Sequence, residues 1–392
     1  MKEILIIPTG GTIGSLAQDY AREMNKQTTA KTRRLLIENF ANSKSKFARF
    51  DSMLLPADYP WQNTTLSESM TLKKLSLLIK YINSLDLSLY DGLIILHGTD
   101  TLAYTAALLS FAFAKTEIPI FLVSGNRPPH DKLSNANANF TTAVELIWGG
   151  IAPNVYITYR NTDNVMRLYL ASGIMQSENY SDDFRGVKNK FFELLNKKQR
   201  NIALKKCLEF SQNRTDFAPV SPKNITELSE KVLLIRPYTG LDYSVFESSL
   251  NSPDSFKAVV HGTYHSGTVS HPGLVLKSEA ESLRKQNKVE EAKELESLSE
   301  QEALSKYSIK YLADRCVQKS IPIFIAPSSL GRDQYETMNA VVENTHSCLL
   351  NMTLEAAYAK LIIALSCALT DEQITEYMKL EINNEFNKYP PA

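Results

Sequence analysis

Two hydroxyl-bearing turns hold most of the chemistry in this chain. The apolar run Ile4-Leu5-Ile6-Ile7-Pro8 leads into Thr9-Gly10-Gly11-Thr12-Ile13-Gly14. A second run, Leu93-Ile94-Ile95-Leu96, leads into His97-Gly98-Thr99-Asp100-Thr101. A threonine hydroxyl attacks a carbonyl carbon only after a base has taken its proton. Gly10 and Gly11 leave room for a tight turn and a close ligand approach, and main-chain N–H groups there can hold an anion or an oxyanion. Thr12 and Thr99 are therefore candidate nucleophiles for one small pocket. Asp100, an acid at a strand end, needs partners; it could take the amine of a bound amino acid or orient a proton carrier. His97 reads as a core histidine paired to a main-chain group. Ser67 and Glu68, with Asp100, could grip the ammonium and carboxylate of a small substrate. The alternative leaves Ser67 in its loop and Glu68 as a surface carboxylate. The glycine turn is not a phosphate loop, because it lacks Gly-Lys-Ser/Thr, nor a Rossmann Gly-x-Gly-x-x-Gly. Further on, His261-Gly262-Thr263-Tyr264-His265-Ser266-Gly267-Thr268 follows another apolar run. It is either a structural turn or a substrate contact, made within the chain or to a neighbouring one.

The elements that must position these residues alternate. Strands are expected at 4–7, 93–96, 119–123 and 155–159, with helices at 72–85, 101–114 and 139–148. In the first helix Leu72, Leu75, Leu78, Ile79 and Ile82 fall near one face, with Ser69 or Thr71 as its cap. The helix at 101–114 is apolar nearly all round and should be buried. This alternation favours an α/β fold with a mainly parallel sheet covered on both faces. In such a sheet, strand ends line a common crevice where ligands bind. Residues 18–34, which include Tyr20, read either as a lid over the first turn or as a surface helix and loop. The polar stretch 207–230, with Pro219 and Pro222, reads as an interdomain linker. It divides a larger N-terminal catalytic domain, 1–206, from a smaller C-terminal α/β domain, 231–392. Within the latter, 277–307 is rich in Glu, Lys, Leu and Ala and reads as an exposed helix or helical hairpin, solvated or partner-docking.

The 392 residues carry 43 basic and 43 acidic side chains, a formal net charge of zero. Nothing in that balance points to nucleic acid or a membrane surface. No apolar run is long enough to span a bilayer or to serve as a secretory leader, so a cytoplasmic location is expected. Cys207, Cys316, Cys348 and Cys367 are scattered without metal-ligand or disulfide spacing and read as buried thiols. No metal or organic cofactor is implied.

Taken in order, several motifs together resemble the bacterial-type L-asparaginase/glutaminase family. They are Thr9-Gly10-Gly11-Thr12-Ile13-Gly14, Ser67-Glu68-Ser69-Met70-Thr71, and Tyr90-Asp91-Gly92 through Thr101. Gly125-Asn126-Arg127-Pro128, Leu234-Ile235-Arg236-Pro237-Tyr238-Thr239-Gly240-Leu241-Asp242 and Met352-Thr353-Leu354-Glu355-Ala356-Ala357-Tyr358-Ala359-Lys360-Leu361 continue the likeness. The chain looks like a divergent member of the cytoplasmic branch. The resemblance implies hydrolysis of the side-chain amide of L-asparagine or a close analogue, in a homodimer or homotetramer. It implies that Thr12 is the nucleophile and that Thr99 activates water or the first hydroxyl. Asp100 would hold the substrate amine and tune Thr99. Ser67 would bind the substrate carboxylate, Glu68 would face its amino group, Gly11 would line the site, and Tyr20 would match the lid tyrosine.

The chain departs from the family pattern in three places. The family's lysine that bonds the second threonine falls, by ungapped counting from Asn139, at Gly150, and 141–159 holds no lysine. Lys132, in the preceding loop, is the candidate replacement. Ser134-Asn135-Ala136 stands where Ser-Asp-Gly is usual. Gly262-Thr263-Tyr264-His265 replaces a run of small residues, which predicts an altered pocket wall with His265 as a substrate contact or proton relay. Two alternatives follow: an amidohydrolase for a peptide or modified amino-acid amide, and a binding protein of this fold with little or no turnover.

Overall fold

The computed structural model describes residues 2–18, 21–23, 26–44, 48–52, 66–252, 254–328 and 335–387. The chain divides into two compact units, Met1–Ser229 with Ile362–Ala392, and Glu230–Leu361. The closing segment thus groups with the first unit, where the sequence expectation assigns it to the second. The boundary falls inside one helix.

The first unit contains, in chain order, β1 (Lys2–Pro8), β2 (Leu16–Gln18), β3 (Ala21–Glu23), α1 (Lys26–Lys44), β4 (Ala48–Ser52), α2 (Leu72–Ser84), β5 (Gly92–Leu96) and α3 (Leu102–Ala112). It continues with β6 (Ile120–Val123), α4 (Ala136–Trp148), β7 (Val155–Arg160), β8 (Met166–Leu170), β9 (Phe191–Glu193) and α5 (Lys197–Gln212). Its sheet runs β4-β1-β5-β6-β7-β8-β9, while β2 and β3 pair as a separate antiparallel ribbon. Strands β4 through β7 are parallel and the last two antiparallel, so the sheet is mainly parallel, as the alternation predicts. From β1 the chain goes outward to β4, then returns to place β5 on the other side of β1. The order therefore reverses between β1 and β5, and the crevice beyond the C-terminal ends of these two strands is where an open α/β sheet accepts a ligand.

Strands buried on both faces read as continuous apolar runs; β5 is buried at every position. On one face Ile4, Ile6, Ile94, Leu96, Phe121 and Val123 pack with Leu36 and Phe40 of α1 and with Phe140 and Val144 of α4. Helices α2 and α3 pack against each other outside that cluster. In α2, Leu75, Leu78, Ile79 and Ile82 are buried and Thr71 caps the start by accepting from the Lys74 N–H at 3.3 Å. Each such buried side chain contributes roughly 1.5–3 kcal/mol. In α3 all but Tyr104 are buried. The crossovers β5–α3–β6 and β6–α4–β7 step the same way across the sheet, yet their helices lie on opposite faces. One of the two is therefore left-handed, against a strong general preference.

The stretch 207–230 begins inside α5, where Cys207 is buried. Burial pushes the thiols of Cys207 and Cys316 up to about 12, as expected of inert core cysteines.

The second unit contains β10 (Val232–Ile235), α6 (Glu247–Asn251), β11 (Ala258–His261), α7 (Leu274–Lys285), α8 (Val289–Ala303), α9 (Ile309–Gln318), β12 (Ile323–Ile325), α10 (Glu336–Thr345) and β13 (Cys348–Leu349). Its four strands are parallel in the order β10-β11-β12-β13. Helix α11 (Leu354–Ser366) spans the boundary, and α12 (Asp371–Lys379) belongs to the first unit. The charged insert is a helical hairpin, α7 against α8. Arg284 makes two 2.6 Å bonds to Glu296 across it, and the Ser299 hydroxyl donates to the Gly273 carbonyl at 2.8 Å.

Candidate active site

Because β1 and β5 are neighbours in register, with Pro8 opposite Leu96, their C-terminal turns emerge together. The Thr9 N–H and hydroxyl both donate to the Leu96 carbonyl at 2.9 Å, tying the first turn to the end of β5. The backbones then touch. Gly11 has a φ of 81°, and a Cβ there would lie 2.2 Å from the Cα and N of Gly98. A Cβ on Gly98 would lie 2.4 Å from the Ser67 hydroxyl oxygen and 2.9 Å from the Gly11 Cα. Only glycine fits at either position. Thr12 follows the first of these glycines and Thr99 the second, and both are half-buried. The two hydroxyl-bearing residues thus flank one backbone contact.

The turn after Gly11 is closed by bonds from the Gly14 N–H to the Gly11 carbonyl at 2.9 Å and from the Ser15 hydroxyl to the Thr12 carbonyl at 2.8 Å. Neither the Gly11 N–H nor the Thr99 N–H has a hydrogen-bond partner among the described residues. Unpaired main-chain donors of this kind can hold an anion or an oxyanion.

Ser67 enters from 33 residues upstream. Its hydroxyl donates to Asp100 Oδ2 at 2.5 Å and accepts from the Asp100 N–H at 3.3 Å. The Ser67 carbonyl accepts from the Thr101 hydroxyl at 2.9 Å. Ser67 is buried, while Asp100 and Glu68 are exposed. The fold therefore brings Gly11, Thr12, Ser67, Thr99 and Asp100 to one edge of one sheet, with Glu68 beside Ser67 in its turn.

His97 is fully buried. Its Nδ1 lies 2.7 Å from the Gly98 carbonyl oxygen, and since a carbonyl only accepts, Nδ1 carries the proton. Its Nε2 has no hydrogen-bond partner among the described residues. Burial holds its pKa down to about 4, against the opposing pull of the Gly98 carbonyl and the Asp100 charge. His97 is thus a neutral core imidazole that fixes the Gly98 carbonyl. In a trans peptide the N–H opposes the C=O, so the Thr99 N–H is aimed away from the imidazole.

The remaining sequence candidates stand elsewhere. Tyr20 lies outside the described residues. Lys132 is exposed in the loop between β6 and α4, at the same sheet edge as Thr99, and makes no hydrogen bond or ion pair among the described residues. The count that placed the family lysine at Gly150 is corrected by the topology. Helix α4 runs antiparallel to the strands, and its 13 residues carry the chain about 20 Å to the opposite edge before Gly150. No side chain at 150 would reach Thr99. His265 is exposed in the second unit. Around it the turn satisfies itself: the Tyr264 N–H donates to the Thr268 carbonyl at 2.9 Å and the Thr263 hydroxyl to the Pro327 carbonyl at 2.7 Å. His261, at the start of that turn, repeats the arrangement of His97, with Nδ1 2.5 Å from the Gly262 carbonyl. Its Nε2 accepts from the Tyr243 hydroxyl at 2.9 Å.

Residue-type reasoning missed Thr9, Gly98 and Thr101 as site-building residues. Thr101 carried no local signal: its hydroxyl makes no cap bond to α3 and donates instead to a carbonyl 34 residues upstream. Among the described residues no group of three or more His, Cys, Asp or Glu could hold a metal ion, and no helix is long and apolar enough to cross a membrane.

A family model, "Asparaginase, N-terminal", matches residues 3–203. A glutamyl-tRNA(Gln) amidotransferase component from Methanococcus vannielii is 30% identical over 177 residues, covering 43% of this chain and 39% of the relative. The protein of the same name from Saccharolobus islandicus is 27% identical over 272 residues, covering 67% of this chain and 56% of the relative. The chain therefore spans less than two thirds of the length of these relatives. The thermostable L-asparaginase from Thermococcus kodakarensis superposes with a TM-score of 0.66 at 17% identity, over 99% of this chain and 100% of that one; at that identity the likeness is one of fold. With the family match extending over half of the sequence and both motif turns inside it, the chain belongs to the asparaginase family.

Proposed function

We propose that the chain hydrolyses the side-chain amide of L-asparagine or a close analogue, with Thr12 as nucleophile. The observation that supports this reading is the Gly11–Gly98 backbone contact, which Thr12 and Thr99 follow in sequence on its two sides. The Thr12 oxygen attacks the amide carbon, and the charge that develops on the amide oxygen is met by the unpaired N–H groups of Gly11 and Thr99. The C–N bond breaks, nitrogen takes a proton and leaves as ammonia, and Thr12 is left as an ester. Water, assisted by Thr99, adds to the ester carbon and releases the acid with Thr12 restored. Asp100 takes the substrate ammonium, and Ser67 binds the carboxylate by turning to it the hydroxyl proton that otherwise goes to Asp100. Glu68, Lys132 and Tyr20 complete the proposed site as substrate or proton-handling groups. The enzyme works as a homo-oligomer in the cytoplasm.

The experiment is steady-state ammonia release from asparagine, glutamine and short asparagine peptides. Thr12→Ala and Thr99→Ala should each lose at least about a thousandfold in kcat. A Thr12→Ala protein that keeps full turnover overturns the assignment.

A second reading comes from the named function of the two amidotransferase relatives. An amidotransferase needs an amide as its nitrogen source, so this chain would prefer glutamine and pass ammonia to an acceptor protein. A kcat/KM for glutamine well above that for asparagine would favour it.

A further inference from the structure

Two exposed helices, one in each unit, carry opposite charge around matching apolar side chains. In α5 five cationic residues stand against one glutamate. In α8 six glutamates stand against one lysine. The chain as a whole is neutral, so these are local concentrations and copies of the protein have no net charge keeping them apart. On α5, Ile202 is 50% exposed, with Lys198 one turn before it and Lys205 one turn after it. On α8, Leu298 is 43% exposed, with Glu294 and Glu302 four residues to either side. Spacings of three and four put each trio on one helical face. None of these four charged residues has an ion-pair partner among the described residues. Their neighbours do pair: Lys206 with Glu209, and Lys293 with Glu290. A shallow depression of about 520 Å³ opens on the α5 face beside Ile202, lined by Lys197, Lys198, Asn201 and Lys205.

We propose that the α5 face of one molecule docks the α8 face of a second copy of this chain. Ile202 and Leu298 meet at the centre, and Lys198 and Lys205 face Glu294 and Glu302 around them. Charge complementarity selects this occupant: the stripe that matches α5 in sign, in spacing and in its apolar knob is carried by the same chain. Opposite charges flanking an apolar seam set partner choice and orientation between helices. The helices are 16 and 15 residues long, about 24 and 22 Å, so the charged brackets can be in register over two turns. The hairpin insert then acts as an assembly arm, and the contact adds to the proposed homo-oligomer a defined, salt-sensitive surface.

Sedimentation velocity of the full chain tests this. Lys198→Glu with Lys205→Glu makes both faces acidic, and Glu294→Lys with Glu302→Lys makes both basic. Each pair should lower the weight-average mass below that of the wild type, as should 0.5 M NaCl, which screens charges at these separations. Mixing the two double variants in equal amounts should restore the wild-type mass, as should the fourfold variant, because the faces are again complementary. Restoration by mixing also separates loss of a contact from misfolding, which a second misfolded protein would not repair. Wild-type mass in both double variants, or no recovery in the mixture and in the fourfold variant, overturns the proposal. Ammonia release measured in parallel should be unchanged, so this outcome stands apart from that of the Thr12 assignment.

Discussion

Gly98 bears on the chemistry more tightly than its lack of a side chain suggests. It is wedged between the Gly11 backbone and the Ser67 hydroxyl, so a methyl group added there must displace one or the other. Displacing reacting groups by an ångström costs on the order of 100-fold in rate. Gly98→Ala should therefore lower kcat/KM for the amide substrate by about that factor, at a stability cost of about 1–3 kcal/mol. Steady-state ammonia release and a denaturant titration measure the two. A variant with full activity would mean that the threonines do not depend on this contact. His97 belongs to the same scale. Its ring is neutral and turned toward the Gly98 carbonyl, so it positions the second turn, and in the proposed reaction the threonine proton goes elsewhere.

Among the elements, α3 matters because its first turn is tied to the Ser67 loop by the Thr101 hydroxyl. Thr101→Val keeps the shape and deletes that bond, which is worth about 1 kcal/mol. The expected result is a KM for asparagine raised several-fold with kcat little changed, since the loop proposed to receive the substrate carboxylate is loosened. An unchanged KM would show that Ser67 is held well enough by Asp100 alone. The elements also show what could be read in advance. The runs at 4–7 and 93–96 and the amphipathic α2 were legible, because strand burial and helical periodicity are local signals. The antiparallel strands β8 and β9 were not: the first two residues of β8 and all of β9 are only half-buried, so neither reads as a continuous apolar run. Helix α5 was not read, and its last six residues fall in the expected linker 207–230; only Ala203 and Cys207 of its 16 residues are buried, so it carries little apolar periodicity. The site was half legible. Residue types singled out Thr12, Thr99 and Ser67, but the Ser67–Asp100 bond and the glycine abutment depend on strand order. The ungapped count to Gly150 failed for the same reason, since counting residues ignores that a helix reverses the direction of travel.

At the scale of the molecule, two buried imidazoles make stability depend on pH. Burial holds both His97 and His261 down to about 4, whereas in the unfolded chain they titrate near 6.5. Between these values the unfolded state binds the extra protons, so stability falls as pH falls. The contribution is complete above pH 6.5 and is lost progressively toward pH 4. At pH 5 the loss amounts to roughly 2 kcal/mol per histidine. Urea midpoints at pH 7.5 and pH 5 should differ accordingly, and the double variant His97→Gln with His261→Gln should flatten the difference. Equal midpoints for the wild type at the two pH values would contradict the burial assigned to these rings.

The abutting glycines restrict how this protein can change. A mutation that bulges one loop pushes directly on the other, so the two threonine-bearing turns are inherited as a unit. New substrates would have to be gained by recutting the surroundings, starting with the loops that carry Ser67 and Lys132. A directed-evolution campaign on this scaffold should accumulate its changes there and leave positions 11 and 98 untouched.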